Sequence, residues 1–173
     1  MNDLEQVLFD NKISFDKVIM VKPGDYAITN QFQSVLATDY TYSCTNLLVY
    51  SEQFAYLTHL FPSETIGRKN TLFERIDFLK LILGDVFKNL VSDINVLVCM
   101  GISSDKEKKL KHHDLSFVDK KLEELKEFCE QNNIKYNRLP NMVSKFLIFN
   151  CEDKKLFIDN GLVINEGKKI NRM

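Results

Sequence analysis

The stretch Cys44-Thr45-Asn46-Leu47-Leu48-Val49-Tyr50-Ser51-Glu52-Gln53-Phe54-Ala55-Tyr56-Leu57-Thr58-His59 decides how this chain is read. Two short runs of apolar, aromatic and β-branched residues lie on either side of the polar break Ser51-Glu52. Residues 44–50 and 54–59 are therefore expected to be two strands of an antiparallel hairpin. In such a hairpin the start of the first strand lies beside the end of the second. That brings Cys44 and His59, a thiol and an imidazole, to one edge of a sheet.

Working outward, residues 15–21, 25–29 and 34–38 are further short β-rich runs, punctuated by Pro23-Gly24 and Asn30-Gln31. From Thr71 the period changes. Leu72, Ile76, Leu79, Leu83, Val86 and Leu90 recur at spacings of four and three, which predicts a helix over 72–90 with one apolar face. A buried strand over 93–100 follows, closed by Gly101, and then a lysine-rich loop through His113. A second helix starts at Ser116 and runs to about 131, with Val118, Leu122, Leu125 and Cys129 turned inward. Residues 134–136, 143–149 and 155–158 read as strands, the last two joined by a turn at Asn150-Cys151-Glu152-Asp153. The expected fold is α+β: a layered sandwich in which a mixed, mostly antiparallel β-sheet packs with two main helices. No repeat or flexible linker interrupts the chain, so 1–173 is expected to be a single domain, with 1–13 as a lead-in and 160–173 as a C-terminal tail.

Composition agrees with one globular unit: 173 residues, 45% hydrophobic and 27% charged, with thirteen Phe and only six Gly and three Pro. The 23 basic and 24 acidic residues leave a net charge of -1, so no global field favours nucleic acid or an anionic membrane. No apolar run has the length of a membrane-spanning helix, and Met1-Asn2-Asp3-Leu4-Glu5 is acidic where a secretory leader is basic. A cytoplasmic protein, not inserted in a membrane, is the expectation.

The four cysteines are widely spaced and read as free thiols. Cys99, inside an apolar strand, and Cys129, on a helix's inner stripe, are core residues; Cys151, in a turn, is expected at the surface. Cys44, at a strand start facing His59, is the candidate nucleophile. A free thiol is little ionised at neutral pH, and an imidazole beside it can take its proton and later return one to a leaving group. A third group on the preceding strand, Thr38 or Asp39, would orient the ring. His112-His113-Asp114 are adjacent and do not converge on one ion, and the chain has no H-E-x-x-H, P-loop or G-x-G-x-x-G, so neither metal nor cofactor is expected. The basic run 106–111 beside them reads as a solvated loop.

The order Thr38-Asp39-Tyr40-Thr41-Tyr42-Ser43-Cys44, then an apolar strand and a histidine ahead of Pro62, resembles the CheD-type chemoreceptor glutamine deamidases. Pro23-Gly24-Asp25-Tyr26-Ala27 is similar to that family's opening strand, and the later helices and strands fall in the same order over most of residues 17–159. The resemblance implies a CheD-like domain and a triad of Cys44 as nucleophile, His59 as general base and acid, and Thr38 orienting the imidazole, with Ser43 and Thr45 in support. It implies the hydrolysis of a protein glutamine to glutamate with release of ammonia, by a bacterial, chemotaxis-related hydrolase. Two glycines that the family carries before Ser-Cys are replaced here by Tyr42 and by Tyr40 or a neighbour of it. Tyr40, Tyr42 and Tyr56 are then candidates for lining a substrate groove, ordinary strand aromatics being the other reading. Bacterial toxin deamidases share the layout, so an effector acting on another protein, or a silent interaction module, are alternative expectations.

Overall fold

The computed structural model describes residues 3–39, 41, 44–60, 71–86, 93–100, 116–139, 145–158, 161–165 and 168–169. Among the described residues there are three α-helices and eleven strands: α1 (Asp3–Asp10), β1 (Val18–Met20), β2 (Tyr26–Thr29), β3 (Val35–Asp39), β4 (Thr45–Tyr50), β5 (Ala55–Leu60), α2 (Thr71–Leu81), β6 (Asn95–Met100), α3 (Ser116–Gln131), β7 (Lys135–Leu139), β8 (Phe146–Asn150), β9 (Lys155–Ile158), β10 (Gly161–Asn165) and β11 (Lys168–Lys169). The fold is α+β, and its strands form two sheets, not one. Sheet A has the order β1-β3-β8-β9-β10-β11 and sheet B the order β2-β5-β4-β6-β7. Both are mixed: β1 runs parallel to β3 and β6 parallel to β7, while the other pairs are antiparallel.

Alternation along β4 explains the layering. Leu47 and Val49 face one way, joining Tyr56 of β5, Val96 of β6, Ile76 and Leu79 of α2, and Leu122 and Leu125 of α3 in one apolar layer. Leu48 and Tyr50 face the other way and meet Leu36, Leu147 and Phe149 of sheet A. The outer side of sheet A is covered by α1, where Val7 and Leu8 pack on Val35, Ala37 and Phe146. The sequence of layers is α2/α3, sheet B, sheet A, α1. Ion pairs lace the helix layer on its wet side, with Lys121 reaching Asp77 at 3.3 Å and Glu124 at 3.0 Å.

The hairpin of β4 and β5 has the expected register, from Thr45 opposite Leu60 to Tyr50 opposite Ala55. Ser51 shapes its loop: Oγ accepts the N–H groups of Gln53 and Phe54 at 3.0 and 3.3 Å. The first long helix spans Thr71–Leu81 and passes into a π turn at Ile82–Val86; the rest of the expected helix, 87–90, lies outside the described residues.

Several expectations are corrected. The lead-in contains α1, whose Val7 and Leu8 are the two buried members of a Leu4, Val7, Leu8 helical spacing. The expected strand over 15–21 is a 3-10 turn at Phe15–Lys17 followed by the three residues of β1. The tail supplies β10, paired antiparallel with β9, and the short β11. Cys151 is buried, not exposed, because the turn between β8 and β9 folds back onto the layer between the sheets. The basic run and His112-His113-Asp114 lie outside the described residues. Among the described residues, no helix is long and apolar enough to cross a membrane.

Candidate active site

The site lies between the two sheets, and one short segment ties its halves together. On β3, Leu36 joins the layer between the sheets while Val35 and Ala37 turn to α1, so Thr38 points across toward sheet B. Its Oγ1 donates to the carbonyl of Val21 at 2.7 Å and sits 2.6 Å from Nδ1 of His59, on β5. A hydroxyl has one proton. With that proton directed to Val21, Oγ1 can only accept from the ring, so Nδ1 carries the hydrogen. The neutral tautomer therefore leaves the lone pair on Nε2, which is buried.

The segment from Val21 to Asp25 crosses from sheet A to sheet B. Val21 extends the pairing of β1 with β3, its N–H donating to Ala37 at 2.7 Å. After Pro23, Gly24 adopts φ 87°, a left-handed conformation that favours glycine. Its N–H donates to the carbonyl of His59 at 2.7 Å, and the N–H of His59 donates to the carbonyl of Asp25 at 3.1 Å. The same few residues thus hold Thr38 through a side-chain bond and His59 through its backbone. Both residues are fully buried.

Cys44 immediately precedes β4 and is 5% exposed, against 0% for His59. His59 stands directly opposite Asn46, so Cys44, one pleat before Asn46, is a diagonal neighbour of the imidazole. Diagonal partners have Cα atoms roughly 7–8 Å apart, within reach of side chains of this length. The turn leading into β4 is closed by the Cys44 N–H, which donates to the carbonyl of Thr41 at 3.0 Å. The N–H of Cys44 itself is thereby engaged.

Other expected residues fall elsewhere. Asp39 faces the opposite side of β3 from Thr38. There it lines a cleft with Asp3, Phe15, Met20 and Lys145 beneath α1, where Lys145 pairs with Asp3 at 2.6 Å. Of the two, Thr38 is the one that meets His59, because its side of β3 is the side that faces sheet B. Thr45 and Tyr56 both face the helix layer, not His59. Thr45 is fully buried, with no hydrogen-bond partner for Oγ1 among the described residues. Tyr56 packs with Tyr26 at a ring separation of 5.7 Å, and burial pushes its phenol up to about 12. Neither supports the thiol or lines a groove beside it. Tyr40, Tyr42 and Ser43 lie outside the described residues.

The remaining thiols are core groups. Burial pushes Cys99 and Cys129 up to about 12 and Cys151 to about 11. Sequence reasoning missed Asn46, which is 2% exposed on the His59 side of β4. The signal was there: a carboxamide stands on the same face of the strand as Leu48 and Tyr50, at a position where an apolar side chain is the ordinary choice. In comparisons with known proteins, no family model and no curated protein matches the chain.

Proposed function

We propose that the chain is a cysteine-dependent protein-glutamine deamidase, with Cys44 as nucleophile, His59 as general base and acid, and Thr38 as the positioning residue for the ring. The observation that carries this reading is the buried Thr38–His59 contact of 2.6 Å. With the Thr38 proton committed to Val21, that contact leaves Nε2 as the proton acceptor on a ring whose strand neighbour is Cys44.

In this scheme Nε2 takes the Cys44 proton and Sγ attacks the carboxamide carbon of a glutamine side chain. The oxyanion collapses, the C–N bond breaks, and nitrogen leaves as ammonia with the proton from Nε2. The thioester is cleaved by water. Nε2 takes a proton from the water, hydroxide adds to the carbonyl, the C–S bond breaks, and the proton returns to sulfur. The net change is carboxamide plus water to carboxylic acid plus ammonia, with no electron transferred. The substrate is a glutamine presented by a protein segment, of the chemoreceptor type or in another cytoplasmic signalling protein.

The test needs no substrate at first. The rate of iodoacetamide alkylation of each cysteine is followed against pH by mass spectrometry, in wild type and in His59→Gln. The reading expects Cys44 to react ahead of the other three thiols, with an apparent pKa below the ordinary thiol value of about 8.5 that rises in the variant. A Cys44 that titrates as an ordinary thiol in both proteins would falsify the assignment. A positive result then leads to glutamine-containing receptor fragments, assayed for the exchange of –NH2 for –OH.

A further inference from the structure

Asn46 interrupts the face that β4 turns toward sheet A, where Leu48 and Tyr50 follow it. Its Oδ1 is buried and has no hydrogen-bond partner among the described residues. A buried amide oxygen left unpaired destabilises a fold, so its place in a closely packed layer asks for a donor supplied from elsewhere. Asn46 stands directly opposite His59 on β5 and Cys99 on β6. It lies one pleat inward of Cys44, about 7 Å along the strand from the thiol.

The groups around it leave little to donate. The proton of Thr38 is spent on Val21, and in the Nδ1–H tautomer the other ring nitrogen of His59 is itself an acceptor. The inner wall behind Cys44 therefore presents two acceptors, Nε2 of His59 and Oδ1 of Asn46. A primary carboxamide has two N–H donors on one nitrogen, whereas the alkoxy oxygen of an ester has none.

Resting on the deamidase reading, we propose that Asn46 is a specificity-determining residue. Its carboxamide oxygen accepts a hydrogen bond from the –NH2 of a primary carboxamide held at Cys44, so the site selects glutamine-type carboxamides over the corresponding esters. An ester would leave the buried oxygen unpaired and bring a lone pair against it, the situation in which polar sites discriminate most strongly.

The experiment compares a glutamine-containing peptide with the same peptide carrying a glutamate γ-methyl ester, using wild type, Asn46→Leu and Asn46→Asp. The ratio of kcat/KM for carboxamide over ester is read by mass spectrometry. Wild type is expected to favour the carboxamide, and Asn46→Leu to lower the ratio at least about tenfold. Asn46→Leu should also keep or raise the unfolding temperature, because the unpaired oxygen is gone. Asn46→Asp keeps an acceptor and should stay nearer the wild-type ratio. An unchanged ratio in Asn46→Leu, or an equal loss in Asn46→Asp, overturns the role of Oδ1 while wild-type turnover leaves the deamidase reading standing. Wild type that converts neither peptide overturns both.

Discussion

Thr38 shows how one hydroxyl can set the chemistry of a ring. Because its single proton goes to Val21, the oxygen facing Nδ1 of His59 is an acceptor, and the tautomer follows. Thr38→Val keeps the shape and removes both bonds. It is expected to lower the proposed deamidation about 10²-fold or more, through a wrongly held base. It should cost about 1–3 kcal/mol in stability through the unpaired carbonyl and ring N–H. Thr38→Ser should recover most of both, as turnover and urea unfolding of the two variants will show. The three core thiols give a second prediction at this scale. Cys99, Cys129 and Cys151 are held protonated by burial, with values raised from 9.0 to about 12, 12 and 11. Above the unfolded value the denatured chain releases protons that the native state retains. Their contribution is therefore complete below about pH 9 and is lost as pH rises toward 11 to 12. Unfolding free energy measured across that window should fall, and Cys99→Ala should make the fall shallower.

At the level of elements, the site depends on a hairpin and a crossing segment. The β4–β5 hairpin sets the spacing of Cys44, Asn46 and His59 by register, since a slip of one residue would put Cys44 and Asn46 on the opposite face from His59. The segment Val21 to Asp25 holds that hairpin against β3. Gly24 is its pivot, with φ 87° and an N–H bonded to His59. A side chain there is strained, so Gly24→Ala should cost about 1–2 kcal/mol. It should also slow Cys44 alkylation relative to other variants of equal stability, because the strain falls on the backbone of His59. A match between stability loss and reactivity loss equal to that of a remote core variant would show that the turn has no special hold on the site.

The whole molecule decides whether the site exists. Thr38 belongs to sheet A and His59 to sheet B, so their contact forms only when the two sheets close. The layer between them is apolar, with Leu36, Leu48, Leu57, Leu147 and Phe149 each almost fully buried. Phe149 lies against Tyr50 at a ring separation of 4.7 Å. Phe149→Ala is expected to cost about 3–5 kcal/mol, and to reduce Cys44 reactivity although residue 149 is outside the proposed chemistry. Thermal unfolding and alkylation rates, measured on the same preparations, check both. The pairing of β3 with the sequence-distant β8 also makes the fold rich in non-local contacts, so folding should be slow for a chain of this size.

Local order was legible in the residues themselves. The hairpin 44–59 follows from alternation and a serine-shaped break, and the two long helices from stripes whose described members Ile76, Leu79, Leu83, Leu122, Leu125 and Cys129 are all buried. These signals are local: side-chain period and turn chemistry act within a few residues, and a single sequence records them directly. They also restricted the partner of His59 to the neighbouring pair Thr38 and Asp39, since both lie on the strand before Cys44. Which of the two faces the imidazole depended on which side of β3 meets sheet B, and alternation alone is symmetric between the sides. For the same reason the sequence did not separate the strands into two sheets, did not place Tyr56 and Thr45 on the helix side, and did not bury Cys151. Strand partners far apart in the chain are chosen by the closing of the apolar layers, a free energy summed over the whole molecule. Only the tertiary structure therefore decided that Thr38, His59 and Asn46 share one buried face beside Cys44.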